Sequence, residues 1–140
     1  MVNELVKRYT DEDYDVVYEF MKKASGIETV NEEIMNHSIL IKKEEDIMGM
    51  VSYERFETLG IIRYFIYNHL VNPDLLVNMF FELYASAKAA GINQLVTMVK
   101  QPYACQLFEL LGFIEIKRDA SDDKLELFKD EQTKVMSIKF

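Results

Sequence analysis

The sequence predicts an α/β domain built on a mixed sheet of six to seven strands, with about four helices on both faces. Three observations carry this expectation. Short β-rich apolar stretches follow one another across polar turns from Ser38 to Asn68, the pattern of an antiparallel meander. The apolar period then lengthens to that of a helix between Asn72 and Gly91. Finally, the strand–helix–strand passage from Ile61 to Val99 is long enough for a right-handed parallel crossover.

Glu4 to Tyr9 reads as the first strand. Thr10 then stands as a helix N-cap, with Asp11, Glu12 and Asp13 in the first turn, where acids complement the helix dipole. Tyr14, Val17, Tyr18 and Met21 form an i, i+3, i+4, i+7 stripe, and Gly26 ends the helix. A short second helix covers Asn31 to Asn36. Ser38 to Lys43, Ile47 to Phe56 and Ile61 to Asn68 supply strands two to four, with Glu44-Glu45-Asp46 as a turn and Gly60 opening the fourth strand. Asn72-Pro73 is a cap followed by proline at the first helical position. Leu76, Phe80, Leu83, Ala87 and Ala90 give that third helix its apolar face. Gln94 to Val99 is the fifth strand, and Pro102 opens a fourth helix that Gly112 ends. Phe113 to Lys117 and Val135 to Phe140 are the last strands, and the acidic stretch Asp119 to Gln132 reads as a hairpin extension or loop.

The chain of 140 residues is 49% hydrophobic and 29% charged, a balance that suits one folded domain, 1–140, rather than disorder. No apolar run is long enough to span a bilayer, and no secretory signal is visible at the start, so the expected place is the cytoplasm, with no membrane partner. The single cysteine, Cys105, excludes an internal disulfide and fits a reducing compartment. A net charge of -8 repels phosphate backbones and argues against nucleic acid as a partner. His37, His69 and Cys105 form no metal-ligand spacing, so no metal site is expected.

The most specific features lie between Asp46 and Phe113. A turn and strand read Asp46-Ile47-Met48-Gly49-Met50-Val51, and the third helix ends Ala87-Lys88-Ala89-Ala90-Gly91. The fourth helix and its exit read Gln101-Pro102-Tyr103-Ala104-Cys105-Gln106-Leu107-Phe108-Glu109-Leu110-Leu111-Gly112-Phe113. In this order and spacing they resemble the GNAT (N-acetyltransferase) superfamily along nearly the whole chain. That family commonly shows a turn before I-V-G, a helix ending A-x-x-x-G, and N-x-x-A-x-x-F-Y-x-x-x-G-F. The resemblance implies an acyl-CoA-dependent N-acetyltransferase acting on an amine, with acetyl-CoA bound in the cleft beside the fourth strand. Cofactor contacts would then fall at Ile66 and Tyr67, at Val71, Asn72, Asp74, Leu75 and Leu76 where the third helix begins, and at Gln101 and Cys105 where the fourth begins.

The sequence departs from the family pattern where phosphate should bind. The family's R/Q-x-x-G-x-G/A loop presents backbone amides at a helix N-terminus to the CoA pyrophosphate, and glycine admits that close approach. Here the loop falls on Val71-Asn72-Pro73-Asp74-Leu75-Leu76, so Asp74 and Leu76 occupy the glycine positions and Pro73 lacks an N–H. Two lost charge-assisted hydrogen bonds cost about 3–6 kcal/mol, or about 10²–10⁴ in affinity. Weak or absent acetyl-CoA binding is therefore expected.

The family's acid tyrosine in the last helix corresponds to Phe108, which has no hydroxyl. Tyr103, one turn earlier, and Tyr67, at the end of the cleft strand, are the substitute acids, and Glu54 is the candidate base. Arg63 can pair with Glu54 across the hairpin. The alternative to an enzyme is a non-catalytic GNAT-like binding or dimerisation module. Tyr64, Phe65, Tyr67, Phe80, Phe81 and Tyr84 exceed what one buried face needs, so a homodimer through exposed aromatic surface is the expected assembly of that alternative.

Overall fold

The computed structural model describes residues 4–26, 29–116 and 133–140. In chain order the elements are β1 (Glu4–Arg8), α1 (Tyr14–Ser25), α2 (Glu32–Met35), β2 (Ile39–Lys43), β3 (Asp46–Phe56), β4 (Leu59–Tyr67), α3 (Pro73–Ala89), β5 (Gln94–Val99), α4 (Pro102–Leu110), β6 (Ile114–Ile116) and β7 (Lys134–Lys139). The strands form one seven-stranded sheet in the order β1-β2-β3-β4-β5-β7-β6. β1 to β4 pair antiparallel, β2, β3 and β4 through short turns and β1 with β2 across α1 and α2. β4 and β5 pair parallel, joined through α3, and β7 inserts antiparallel between β5 and β6. The mixed sheet and the parallel crossover are those the sequence predicts; the expected extension at Asp119 to Gln132 lies outside the described residues.

Gly60 lets β4 and β5 meet. A Cβ there would come 2.6 Å from Leu95 Cδ2 and 3.1 Å from the Tyr53 ring, closer than packed side chains tolerate. Helix ends follow the sequence signals. Gly26, Gly91 and Gly112 take positive φ after α1, α3 and α4, where a side chain would be strained. The entry to α1 differs from expectation: Asp11–Asp13 form a 3-10 turn and the α-helix starts at Tyr14. Asp13 is buried and bound by Lys7, Lys42 and the Thr10 backbone, which ties this tight turn to β1 and β2.

The sheet carries a core on each face. On one, Val17 and Met21 of α1 and Met35 of α2 pack against Leu40, Ile47 and Met50. On the other, Leu76, Phe80, Leu83 and Ala87 of α3 join Phe108 of α4 over Ile41, Val51, Ile62 and Leu95. The aromatic residues that looked surplus in the sequence belong mainly to these cores. Phe80 is fully buried and meets Phe65, Phe108 and Phe113 edge to face, while Tyr64 packs toward α1. Tyr84 donates its hydroxyl to the Leu111 carbonyl at 2.7 Å, and burial raises its pKa far above the ordinary tyrosine value. Of the six, only Phe81 and Tyr67 are strongly exposed, because two covered sheet faces need twice the apolar area of one.

His37, just after α2, stacks on Tyr53 with ring centroids 4.6 Å apart. Burial lowers its pKa, with the Arg55 cation adding to the effect and Glu33 opposing it. The unfolded chain therefore binds this proton more readily than the folded one. Stability from His37 is complete above the unfolded value near 6.5 and declines as pH falls below it. Thermal midpoints should fall between about pH 6.5 and 5, and His37→Asn should flatten that part of the profile. An unchanged slope in the variant would remove His37 as its cause.

Candidate functional site

β4 and β5 pair over only three positions, Leu59 with Gln94, Gly60 with Leu95 and Ile61 with Val96. Both strands then continue, β4 to Tyr67 and β5 to Val99, without pairing to each other. β5 keeps β7 along its other edge to Val99, and β4 keeps β3. The facing edges beyond Ile61 and Val96 thus splay into a cleft. A bulge marks the divergence: Met50 opposes Ile66 and Ser52 opposes Arg63, so two residues of β4 stand against one of β3. Tyr64 lies in this bulge at φ 33°, a strained value for a non-glycine residue. The kink turns Tyr64 toward the α1 face and Phe65 toward α3 and α4.

The cleft encloses a cavity of about 310 Å³, with Ile62, Arg63, Phe65, Thr97, Tyr103 and Phe108 among its walls. Its size is at the lower end of small-ligand sites. Among the candidate acids, Tyr103 stands at this cavity and is well exposed, at 67%. Tyr67 instead packs on Phe65, with centroids 5.1 Å apart, and is not among the cavity's lining residues. Phe108 is buried at the cavity wall, edge to face with Phe65 and Phe113. Glu54 binds Arg63 through Oε1, 3.1 Å from Nε and 3.0 Å from Nη2. Arg63 also lines the cavity, so the pair joins Glu54 to the cleft through a guanidinium. Gln101 precedes α4 and lines both the cleft and a smaller cavity of about 110 Å³ that includes Cys105 and Lys134. Among the described residues, no group of three or more His, Cys, Asp or Glu side chains is placed to hold a metal ion.

The start of α3 tests whether a pyrophosphate fits. Asn72 caps the helix, its Oδ1 accepting from Asp74 N at 2.9 Å, and its backbone oxygen accepts from Leu75 N at 2.9 Å. One turn earlier, Asn68 accepts from Leu70 N through Oδ1 and from Val71 N through its backbone oxygen. Four amides that could meet an anion thus have partners within their own loop, and Pro73 offers none. Asp74 is exposed at this end and adds a negative charge. Val71 and Leu76 are buried, Leu75 is half-buried, and Ile66 packs toward α1.

Sequence reasoning missed the lining contributed by β5 and the loop after it, Thr97 to Lys100, and the bulge at Tyr64. The first follows from register between distant strands. The second has no local signal, because tyrosine has no preference for positive φ.

No protein-family model matches the sequence, and no curated protein matches it. Solved structures do match the fold. An acetyltransferase of the GNAT family from Streptococcus pneumoniae superposes with a TM-score of 0.72 at 16% identity, covering 99% of each chain. A Mycobacterium tuberculosis protein solved with CoA gives 0.72 at 12% identity, covering 97% of this chain and 99% of the other. The PaiA N-acetyltransferase of Thermoplasma acidophilum, solved with coenzyme A, gives 0.67 at 12% identity over 99% of each chain. The chain has the GNAT fold. Among the described residues, no helix is long and apolar enough to cross a membrane.

Proposed function

We propose that the β4–β5 cleft serves transfer of an acyl group from a thioester of the acyl-CoA class to an amine. The observation that carries this reading is the splay itself. Two strands that part after three residue pairs leave unpaired backbone groups along a narrow, partly apolar slot. Such edges bind an extended amide-containing arm as they would bind another strand. A bound acyl thioester would supply the activated carbonyl. The chain's own residues would position it: the β4 backbone near Ile66 and Tyr67 toward the mouth, and Phe65 and Phe108 as apolar walls excluding water. Tyr103 carries the hydroxyl at the cavity best placed to return a proton to a leaving group. Glu54, anchored by Arg63, is the carboxylate candidate for accepting the proton of an incoming amine.

The experiment is amine-dependent thiol release from acetyl-CoA at millimolar concentration, measured with a panel of small amines and amine-bearing peptides. Release should appear with at least one amine class and fall about 10²-fold or more in Tyr103→Phe. A second reading, a non-catalytic binding module, is favoured by the self-capped start of α3 and by phenylalanine at position 108. Binding of the thioester without release with any amine would select it.

A further inference from the structure

A second cavity, larger than that of the cleft, lies away from it. It is an open trough of about 610 Å³ between α1 and the start of β3, reaching Asn68 at the end of β4. Its two walls repeat one chemical order. On α1, Asp15 and Glu19 lie one turn apart, and each is followed by an apolar residue, Val16 and Phe20. Across the trough, Glu45 and Asp46 are followed by Ile47 and Met48. Carboxylates therefore line both sides of the trough, with apolar residues between them. Val17 and Met21 are buried against the sheet, and Phe20 is half-buried against the same core with its remaining surface on the trough. Val16 is 37% exposed and lines the trough. Among the described residues that line it, Lys23 is the one cation.

We propose that this trough is a docking surface for a short basic, amphipathic peptide segment of a partner protein. An apolar side chain would sit on Val16 and the exposed part of Phe20, with lysine or arginine side chains reaching the acidic rims on either side. The charge complementarity is two-sided, which selects alternating basic and apolar residues over a uniformly charged chain. An open trough suits an extended segment better than an enclosed small molecule.

The test uses the full chain and a fluorescent five-residue peptide alternating lysine and leucine, read by anisotropy at low and physiological salt. A glutamate–leucine peptide is the negative control. Binding is expected for the basic peptide, weakening as salt screens the rims. The combined Asp15→Asn, Glu19→Gln, Glu45→Gln variant should lose about tenfold or more, at about two- to fivefold per carboxylate. A control with the same charge change elsewhere, Glu57→Gln, Glu109→Gln, Glu115→Gln, should keep its affinity. Val16→Ser, which changes no charge, should also weaken binding. Thermal midpoints identify any variant that fails to fold, and Val16→Ser then stands as the independent arm. No binding, equal losses in both triple variants, or spermidine binding more tightly than the peptide would overturn the proposal.

Discussion

Acetyl-CoA should bind this protein with a dissociation constant in the high micromolar range or weaker, and S-acetylpantetheine should bind nearly as well. Typical substrate constants span about 1 μM to 1 mM, so the expectation places the protein at or beyond the weak end. The cause lies at the start of α3. An open helix N-terminus attracts phosphate because its amides lack partners and the dipole is positive there. Here Asn72 partners the Asp74 and Leu75 amides, Asn68 partners those of Leu70 and Val71 in the preceding loop, Pro73 has none, and Asp74 adds a carboxylate. The arm between the splayed strands is held by backbone edges that do not depend on these residues. Removing the nucleotide should therefore cost little. Asp74→Gly should tighten acetyl-CoA by about three- to tenfold, the scale of one partly screened charge, and leave S-acetylpantetheine unchanged. Calorimetric titration of both ligands against both proteins decides the matter. A low-micromolar constant for acetyl-CoA with a hundredfold preference over S-acetylpantetheine would show that the loop rearranges to take phosphate.

The element order was legible because each element has a local cause. Asn72-Pro73 fixes where α3 begins, Gly91 and Gly112 fix where α3 and α4 end, and alternation fixes the antiparallel meander. The capped start of α3 was legible for the same reason, since a cap acts on amides two or three residues away. The cleft was only partly legible. Tyr103 was identified from its spacing before Phe108, and it does stand at the cavity. Tyr67 follows from its place at the end of the cleft strand, but the bulge at Tyr64 changes which face each later β4 residue presents, and Tyr67 lies against Phe65 instead. The trough beside α1 was not legible, because it joins residues about thirty positions apart through sheet packing. A pattern of acid then apolar residue on one helix face is, by itself, an ordinary amphipathic edge.

Asp13→Ala should lower folding stability by about 2–4 kcal/mol, the largest single-residue effect expected outside the apolar core. Asp13 is 4% exposed and joins three elements. Its Oδ2 accepts from Lys7 Nζ at 2.6 Å and from Thr10 N at 3.0 Å, and its Oδ1 lies 3.4 Å from Lys42 Nζ. β1, β2 and the turn into α1 are therefore pinned to one carboxylate. Removing it leaves an unpaired Thr10 amide and two cations drawn toward a buried space. The side chains of Lys7 and Lys42 remain 30% and 17% exposed, so water recovers part of the loss, which keeps the estimate below the upper end for fully buried pairs. Asp13→Asn keeps an acceptor for the Thr10 amide and should cost about half as much. The pH dependence has a definite sign. Burial alone would raise the Asp13 pKa, but the Lys7 hydrogen bond, the Thr10 amide and the Lys7 charge outweigh it and lower the value below that of the unfolded chain. The stabilisation is then fully present above the unfolded value near 3.9 and is lost as pH falls through the folded value beneath it. Urea unfolding at pH 7 and near pH 3 measures both effects. The wild-type advantage over Asp13→Ala should be large at pH 7 and should shrink at the lower pH. An advantage of equal size at both would assign the effect to packing rather than to charge.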